Sequence, residues 1–256
     1  MTHTARKIAT IEARYLETIN PVASLGFIGL ATDRASLPDF RAFVDPYQGV
    51  AVHSTRIPFA PVATAETLRA MEAHLRTGAE LLVPDYPVST ISFSCTSGTI
   101  AIGADNVRSL IQSARPEAKV VTPIEAAIMG LQALGARRIS LLMPYLEKTA
   151  CMVAGHIESN GFGLDAVATF DLNGDPEMNR VDPAAIFEAA TRLFDANSDA
   201  LFISCTGWRT HPVIDRLEKE LGKPVISSNQ ALAWQALRQA GVTERINGQG
   251  RLFSQL

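Results

Sequence analysis

Short apolar runs alternate with amphipathic stretches of helical length along this chain of 256 residues. The runs are rich in β-branched residues and are typical of strands that are buried on both faces of a parallel sheet. They occupy residues 26–31, 49–55, 90–94, 119–121, 139–143, 166–170, 200–204 and 224–227. Strands that alternate with helices in this way predict an α/β fold with parallel sheets.

The chain also repeats itself. Residues 120–135, VVTPIEAAIMGLQALG, resemble residues 226–241, ISSNQALAWQALRQAG, and both copies run strand, polar cap, helix, glycine. A repeat of this size is too long for a solenoid unit and fits two homologous lobes of about 110–120 residues each. We therefore predict an N-terminal lobe of residues 1–118 plus 229–256 and a C-terminal lobe of residues 119–228, related by a pseudo-twofold axis.

Two local features follow from the same segments. In the first copy, Thr122 is predicted to cap a helix, with Glu125 completing a capping box and Gly135 ending the helix. The C-terminal tail, TERINGQGRLFSQL, is polar and is expected to be loosely packed.

Composition excludes several classes of function. Charged residues make up 19% and the formal net charge is −3, so a basic surface for nucleic acid is not expected. The apolar runs are too short to span a bilayer, and the start, MTHTARKIATIEARYL, lacks the apolar core of a signal peptide. We expect a cytoplasmic protein without a nucleic-acid or membrane partner, and a homo-oligomer, either a dimer or a tetramer.

Two of the three cysteines lie in nearly identical settings. Cys95, in ISFSCTSGTI, and Cys205, in LFISCTGWRT, each follow a strand-like run and precede threonine and glycine. Ligands gather at the carboxyl ends of parallel strands, and converging N–H groups at a helix N-terminus bind anions and favour thiolate. A lone cysteine at a strand end is more often a buried small apolar residue, which is our interpretation of Cys151.

Two facing thiols suit chemistry on a small carboxylate. One thiolate can abstract a proton from carbon while the other thiol donates one to the opposite face, or a thiolate can add to a C=C bond and leave after rotation. Both routes build negative charge on the substrate carboxylate, which hydroxyls and amides around Thr96, Ser97 and Thr206 are placed to stabilise.

Other polar residues are weaker candidates. Asp33 and Arg34 lie in a loop after the first strand, where a substrate contact and a solvated loop charge are equally plausible. The loop segment NGDPEMNR is expected at the edge of the cleft. No histidine has the spacing of a metal motif, so a metal site is not expected.

These motifs identify a family resemblance. The segments SCTSGT, ALGARRISLLMPY, ISCTGW and LEKELGKPVISSNQALAWQALRQAG, spread over residues 88–241, resemble the aspartate/glutamate racemase superfamily. The similar branch holds maleate cis–trans isomerase, arylmalonate decarboxylase and ectoine-utilisation racemase-like proteins. The resemblance implies two flavodoxin-like lobes, an active site in the cleft between them, and neither metal nor organic cofactor.

The resemblance also implies roles for single residues. Cys95 matches the thiol of the N-terminal lobe and Cys205 that of the C-terminal lobe. Thr96 and Ser97 match positions that bind a substrate carboxylate, and Thr206 is expected to donate a backbone N–H. Tyr145, which without the resemblance reads as a packing aromatic, matches a tyrosine that hydrogen-bonds the same carboxylate.

Differences between this sequence and other members of the branch favour some reaction types over others. The decarboxylase carries glycine where this chain has Cys95, so two thiols favour racemisation or cis–trans isomerisation over decarboxylation. Maleate isomerases have a Ser-Asn-Thr-rich loop after the first strand, whereas this chain reads ATDRASLPDF, which resembles the ectoine-utilisation branch and its proposed racemisation of an acylated diamino acid. A decarboxylating lyase and a two-lobed small-molecule binding protein remain the alternatives.

Overall fold

The structure is a computed structural model that describes residues 8–17, 19 and 22–255. Part of the N-terminal segment from which the location is predicted, residues 1–7, lies outside the described residues. No helix in the described ranges is both long and apolar enough to cross a membrane.

Over the residues that the structure describes, eight parallel strands form two four-stranded sheets. The strands are β1 (Ala23–Leu30), β2 (Val50–Ile57), β3 (Thr90–Phe93), β4 (Lys119–Val121), β5 (Arg138–Tyr145), β6 (Gly163–Leu172), β7 (Ala200–Ile203) and β8 (Val225–Ser227). The first sheet has the order β2-β1-β3-β4 and the second β6-β5-β7-β8, so the two halves share one topology. All strand pairs are parallel, which confirms the predicted α/β fold of two flavodoxin-like lobes.

Eleven helices within the described part of the chain flank the sheets. They are α1 (Ser36–Val44), α2 (Ala65–Ala70), α3 (Glu72–Glu80), α4 (Thr96–Ile102), α5 (Ala104–Ala114), α6 (Pro123–Ala133), α7 (Glu147–Ser159), α8 (Asp175–Met178), α9 (Pro183–Leu193), α10 (His211–Leu221) and α11 (Ser228–Gln239). Each sheet is therefore covered by helices on its faces, as its fully buried inner strands require.

The two lobes exchange helices. Helix α6 follows the last strand of the first sheet but packs against β8 of the second sheet. Helix α11 follows the last strand of the second sheet and packs against β3 and β4 of the first sheet, and the two helices also contact each other. These two helices, in contact with each other, thus link the lobes.

The position of β4 bears on the predicted lobe boundary. We predicted that the C-terminal lobe begins at residue 119, but β4 pairs with β3 and so belongs to the first sheet. The remaining boundaries stay a prediction.

The hydrophobic core is continuous across the lobes. Its larger cluster joins residues from both sheets and from the exchanged helix, among them Phe27 of β1, Leu141 of β5, Phe202 of β7 and Trp234 of α11. A second cluster fills the other face of the first sheet, beneath α3 and α5. Burial of this shared core ties the lobes together in addition to their hydrogen bonds.

Two local predictions were wrong. Helix α6 does begin at Pro123 and ends before Gly135, which has φ +72°, but the Thr122 hydroxyl caps no backbone group and instead donates to the Glu125 carboxylate at 2.7 Å. The tail is not loose, because residues Arg251–Gln255 form a 3₁₀ helix that buries Leu252 and Phe253. Phe253 stacks on Phe43 with ring centroids 5.6 Å apart.

Candidate active site

Both cysteines of the repeated motif line one pocket. Cys95 follows β3 and Cys205 follows β7, which occupy equivalent inner positions in the two sheets. Each residue is only 6% exposed, and together they border one pocket. The carboxyl ends of the two sheets therefore face each other across one space, as expected for a ligand site in this architecture.

The backbone around each thiol supplies an N–H donor to sulfur. Cys95 is the N-cap of α4 and has an extended backbone, so that the N–H of Gly98 reaches its Sγ at 3.3 Å. A Cβ at Gly98 would lie 2.4 Å from Met71 Cε and 2.8 Å from Cys95 Sγ, which explains the need for glycine. In the second lobe the N–H of Gly207 donates to Cys205 Sγ at 3.2 Å.

These donors do not make the thiols acidic. Burial raises the pKa of Cys95 to about 12, because it outweighs the hydrogen bond from Gly98, and the Asp175 carboxylate raises it further. Burial, followed by the charge of Asp175, also raises the pKa of Cys205. Burial thus opposes the thiolate stabilisation that the sequence motifs predict for the two residues.

Asp175 is a pocket residue that we had not predicted individually. The loop after β6 reaches the cleft, as expected for NGDPEMNR, and Asp175 and Met178 of α8 line the pocket. The Thr32 hydroxyl donates to Asp175 Oδ2. Burial raises the pKa of Asp175 to about 6. Its sequence signal was weak, because alternating Asp and Asn residues are also typical of solvated turns.

Tyr145 brings to the pocket a buried hydroxyl whose polar neighbours, Ser204 and Cys205, make only weak contacts with it. It is the last residue of β5, is 2% exposed, and its Oη forms no hydrogen bond of standard geometry. Burial, together with the nearby thiols of Cys205 and Cys95, raises its pKa well above the usual value. A buried hydroxyl without a partner is unfavourable, so Tyr145 is available to donate to a ligand.

The two threonines that follow the thiols join the lobes. The Thr96 hydroxyl donates to Ser228 Oγ at 2.9 Å, and the Thr206 hydroxyl donates to the backbone carbonyl of Ser94 at 3.1 Å. Both residues line the pocket, but these hydroxyls are already engaged. The Ser97 hydroxyl, 4.0 Å from Cys95 Sγ, remains beside the thiol.

Of the two candidate residues in the loop after β1, one lies at the pocket and the other does not. Asp33 lines the pocket, but its Oδ1 accepts hydrogen bonds from the N–H groups of Ala35 and Ser36 at 2.8 and 3.2 Å, and so helps to start α1. Arg34 is exposed and is not among the pocket-lining residues; its N–H donates to Asn179 Oδ1 at 2.7 Å. The structure therefore does not bring the Arg34 side chain to the thiols.

A loop from the N-terminal lobe closes the pocket on its apolar side. Phe59 and Ala63 line the pocket, and the Ala63 N–H donates to the Asn173 carbonyl at 3.0 Å. Gly174 packs so closely here that a Cβ would lie 1.9 Å from the carbonyl oxygen of Pro61. Residues 58–64 thus fix the loop that carries Asp175.

The third cysteine lies elsewhere. Cys151 is in α7, as predicted, but it is exposed and not buried as a small core residue would be. Over the described ranges, no three His, Cys, Asp or Glu side chains cluster closely enough to hold a metal ion.

Comparison with known proteins places the chain among enzymes of two kinds. Arylmalonate decarboxylase from Bordetella bronchiseptica is 34% identical over 133 residues, which cover 51% of this chain and 55% of the decarboxylase. Maleate isomerase from Nocardia farcinica is 29% identical over 212 residues, 79% of this chain and 83% of the isomerase. The matched part of the decarboxylase is thus about half its length, whereas the isomerase matches over most of its length.

Solved structures show the same fold. A Nocardia farcinica maleate cis–trans isomerase variant, which carries a covalently bound succinylcysteine intermediate, superposes with a TM-score of 0.85 at 24% identity and covers 91% of this chain and 99% of its own. A liganded double variant of arylmalonate decarboxylase gives a TM-score of 0.79 at 25% identity, with 91% and 100% covered.

The family assignment rests on a match to a family profile that covers more than half of the chain. The profile of the arylmalonate decarboxylase family matches residues 74–253, which include both thiols, Tyr145 and Asp175. This chain therefore belongs to the arylmalonate decarboxylase family, in the branch of the aspartate/glutamate racemase superfamily that also contains the maleate isomerases.

Proposed function

We propose that this protein is a cofactor-independent isomerase of a small carboxylate in which Cys95 and Cys205 are the catalytic pair. The observation that carries the proposal is the single pocket bordered by two thiols, each at the end of an equivalent strand and each accepting a glycine N–H. The relatives that match most of the chain are named as isomerases, which supports the same reaction class.

The two thiols can work in either of two ways. In racemisation, one sulfur, as thiolate, takes the proton from the substrate carbon, and the S–H of the other delivers a proton to the opposite face. In cis–trans isomerisation, a thiolate forms a C–S bond to an alkene carbon, the C–C bond rotates, and elimination returns the thiolate. Only one sulfur needs to be ionised, and each thiolate would raise the pKa of the other thiol.

Neutral donors hold the substrate carboxylate in this scheme. Tyr145 has a free hydroxyl, Ser97 lies beside Cys95, and the N–H groups of Gly98 and Gly207 stabilise whichever sulfur becomes negative. The roles of Thr96 and Thr206 are to hold the two lobes at the distance that the substrate requires, since their hydroxyls already join the lobes.

The test is a substitution of each thiol. Cys95→Ser and Cys205→Ser are assayed in deuterated water on maleate and on each enantiomer of an N-acetylated diaminobutyrate, the kind of substrate that the resemblance to the ectoine-utilisation branch implies. We expect each variant to lose at least about a thousandfold in turnover, because serine is a far weaker acid and nucleophile. Cys151→Ser is the matched control, since Cys151 is exposed on α7 and should keep full activity.

The products distinguish the mechanisms. Racemisation places solvent deuterium at the stereocentre, and cis–trans isomerisation gives a cysteine adduct that mass spectrometry can detect. Wild-type turnover in both active-site variants would exclude the proposal.

The family profile supports one second candidate, a decarboxylase. In that case an arylmalonate substrate releases carbon dioxide and a cysteine protonates the resulting carbanion. The decarboxylase predicts that Cys95→Ser remains active and Cys205→Ser does not, whereas the isomerase requires both thiols.

A further inference from the structure

Asp175 has one carboxylate oxygen without a partner in the pocket. Thr32 donates to Oδ2, whereas Oδ1 accepts no hydrogen bond from any residue in the described part of the chain. A Cβ placed on Gly207 would lie 3.4 Å from Cys205 Sγ and 3.6 Å from Asp175 Oδ1, so the carboxylate and the thiol border the same spot. The Asn179 amide nitrogen is also there, at 3.2 Å, but it already donates to the Gly207 carbonyl. A ligand that reaches Cys205 therefore also meets an acceptor.

The rest of the lining offers no positive charge. None of the pocket-lining residues that the structure describes is Lys, Arg or His, and the second acid, Asp33, adds to the negative potential. The available donors are neutral, and the Tyr145 hydroxyl is buried without a partner. The pocket thus combines a donor for a substrate carboxylate with a separate acceptor that is suited to an N–H group.

We propose that Asp175 accepts a hydrogen bond from an N–H group of the substrate. The substrate class is then a small carboxylate that carries an amino or amide nitrogen close to the reacting carbon, and not a dicarboxylate. This inference deepens the proposed function and rests on it for the identity of the site. Asp175 is accordingly a specificity-determining residue.

The physical basis is the polarity of the acceptor. A second substrate carboxylate next to Asp175 would place two negative charges together in a buried site, which weakens binding strongly. An amide in the same position turns that repulsion into a hydrogen bond with a charged acceptor. Asp175→Asn keeps the shape of the side chain. The amide oxygen of the asparagine can still accept the hydrogen bond from Thr32, and its NH₂ group then presents a donor to the pocket.

Maleate and maleamate make a matched pair of probes. They have the same size and cis geometry and differ only in that one carboxylate is a carboxamide. At mildly alkaline pH, where Asp175 is ionised, titration calorimetry of the wild type should give at least about tenfold tighter binding of maleamate than of maleate. Asp175→Asn should reduce or reverse this ratio.

The control is Asp171→Asn, which makes the same charge change near the end of β6, shortly before Asp175 in the chain. Asp171 is exposed and does not line the pocket, and asparagine tolerates its φ of +55°. This variant should keep the wild-type ratio. Equal binding of both probes to the wild type, no binding of maleamate at millimolar concentration, or an unchanged ratio in Asp175→Asn would each overturn the inference.

The isomerase proposal and the role of Asp175 can be excluded independently of each other by these experiments. If Cys95→Ser and Cys205→Ser keep full turnover while the binding ratio behaves as expected, the isomerase proposal is excluded and the role of Asp175 stands. If the thiols prove essential but the ratio does not respond to Asp175→Asn, only the inference about substrate class is excluded.

Discussion

At each thiol, a hydrogen bond from one glycine N–H lowers the thiol pKa, whereas burial raises that pKa by much more. The hydrogen bonds from Gly98 and Gly207 lower the pKa of Cys95 and Cys205, yet both pKa values end far above that of a free thiol. Burial therefore favours the thiol form at both positions over the thiolate, which is the form that reacts in oxidation and alkylation.

Tyr145 gives a prediction in which stability and activity change in opposite directions. Tyr145→Phe removes a buried hydroxyl that has no partner, so the free energy of unfolding should stay constant or rise by up to about 1 kcal/mol. The kcat/KM should fall about ten- to a hundredfold, because a donor to the developing negative charge is lost. Urea unfolding and steady-state kinetics measure the two effects. A clear loss of stability with full activity would instead assign the hydroxyl a structural role.

Asp175 gives a prediction for the pH dependence of stability. Because burial raises its pKa in the folded state to about 6, the folded protein binds this proton more tightly than the unfolded chain does. Its contribution is therefore fully present below the unfolded pKa, near 3.8, and is lost as the pH rises through about 6. Between these pH values the wild type should lose up to about 3 kcal/mol of unfolding free energy relative to Asp175→Asn. Parallel pH profiles of the two proteins would contradict the expectation.

Sequence patterns predicted where the site residues lie better than they predicted the direction of their pKa shifts. The duplicated motif was enough to predict that Cys95 and Cys205 lie at strand ends, because strand, thiol and glycine are adjacent in the chain. The protonated state of the thiols depends on burial and on Asp175, which is distant in sequence. The exposure of the Arg34 side chain was not predictable from sequence either, since an exposed loop arginine and one that faces the pocket look alike in sequence.

At the scale of elements, the loop at residues 58–64 and the loop that leads into α8 act as one unit. They are joined by the hydrogen bond from Ala63 to Asn173 and by the close contact between Gly174 and Pro61, and the Thr149 hydroxyl donates to the Ala63 carbonyl at 3.1 Å. The position of Asp175 in the pocket is therefore set by a loop from the opposite lobe.

Gly174→Ala should break this unit. The added Cβ would meet a backbone carbonyl at 1.9 Å, so one loop must move, and we expect a loss of about 1–3 kcal/mol in stability together with lower kcat/KM. Gly155→Ala is the matched control. Gly155 lies within α7 with no neighbouring atom within 4 Å of a Cβ, so alanine should be neutral or stabilise by about 0.5–1 kcal/mol. Equal behaviour of the two variants in thermal unfolding would refute the account.

Elements were more predictable than their ends. All eight predicted strands are present, because even the partly exposed edge strands β2 and β6 contain runs of apolar and β-branched residues. The capping box at Thr122 failed since a threonine hydroxyl can donate to the nearby glutamate as well as accept from the backbone. The packed tail was missed because only two of its residues, Leu252 and Phe253, are apolar anchors, and their partners lie far away in sequence.

At the scale of the whole molecule, a buried polar network connects the lobes behind the pocket. The Asn229 amide lies 2.9 Å from Asp39 Oδ2 and 3.0 Å from the carbonyls of Thr206 and Trp208. Asp39 also accepts from the Thr210 hydroxyl and the His211 N–H. Burial raises the pKa of Asp39 even though these three donors and the backbone N–H of Thr210 lower it. The network fixes the turn after Cys205 to α1 of the other lobe.

Asn229→Ala tests this network. It removes the donor to three buried acceptors, so unfolding free energy should fall by about 2–3 kcal/mol in urea. Activity should fall as well, because the turn that carries Thr206 loses its anchor. Retention of both wild-type stability and wild-type kcat/KM would show that the network does not position the site.

The internal repeat predicted the two sheets, and the exchange of α6 and α11 has a consequence for how the pocket can open. If the pocket opened by rotation of the two lobes away from each other, each of these helices would have to detach from the sheet against which it packs, and the shared core would be exposed. Substrate entry is therefore expected at the rim, by displacement of residues 58–64, while the two halves stay in place. For the same reason, neither half cut from the gene should yield a folded fragment.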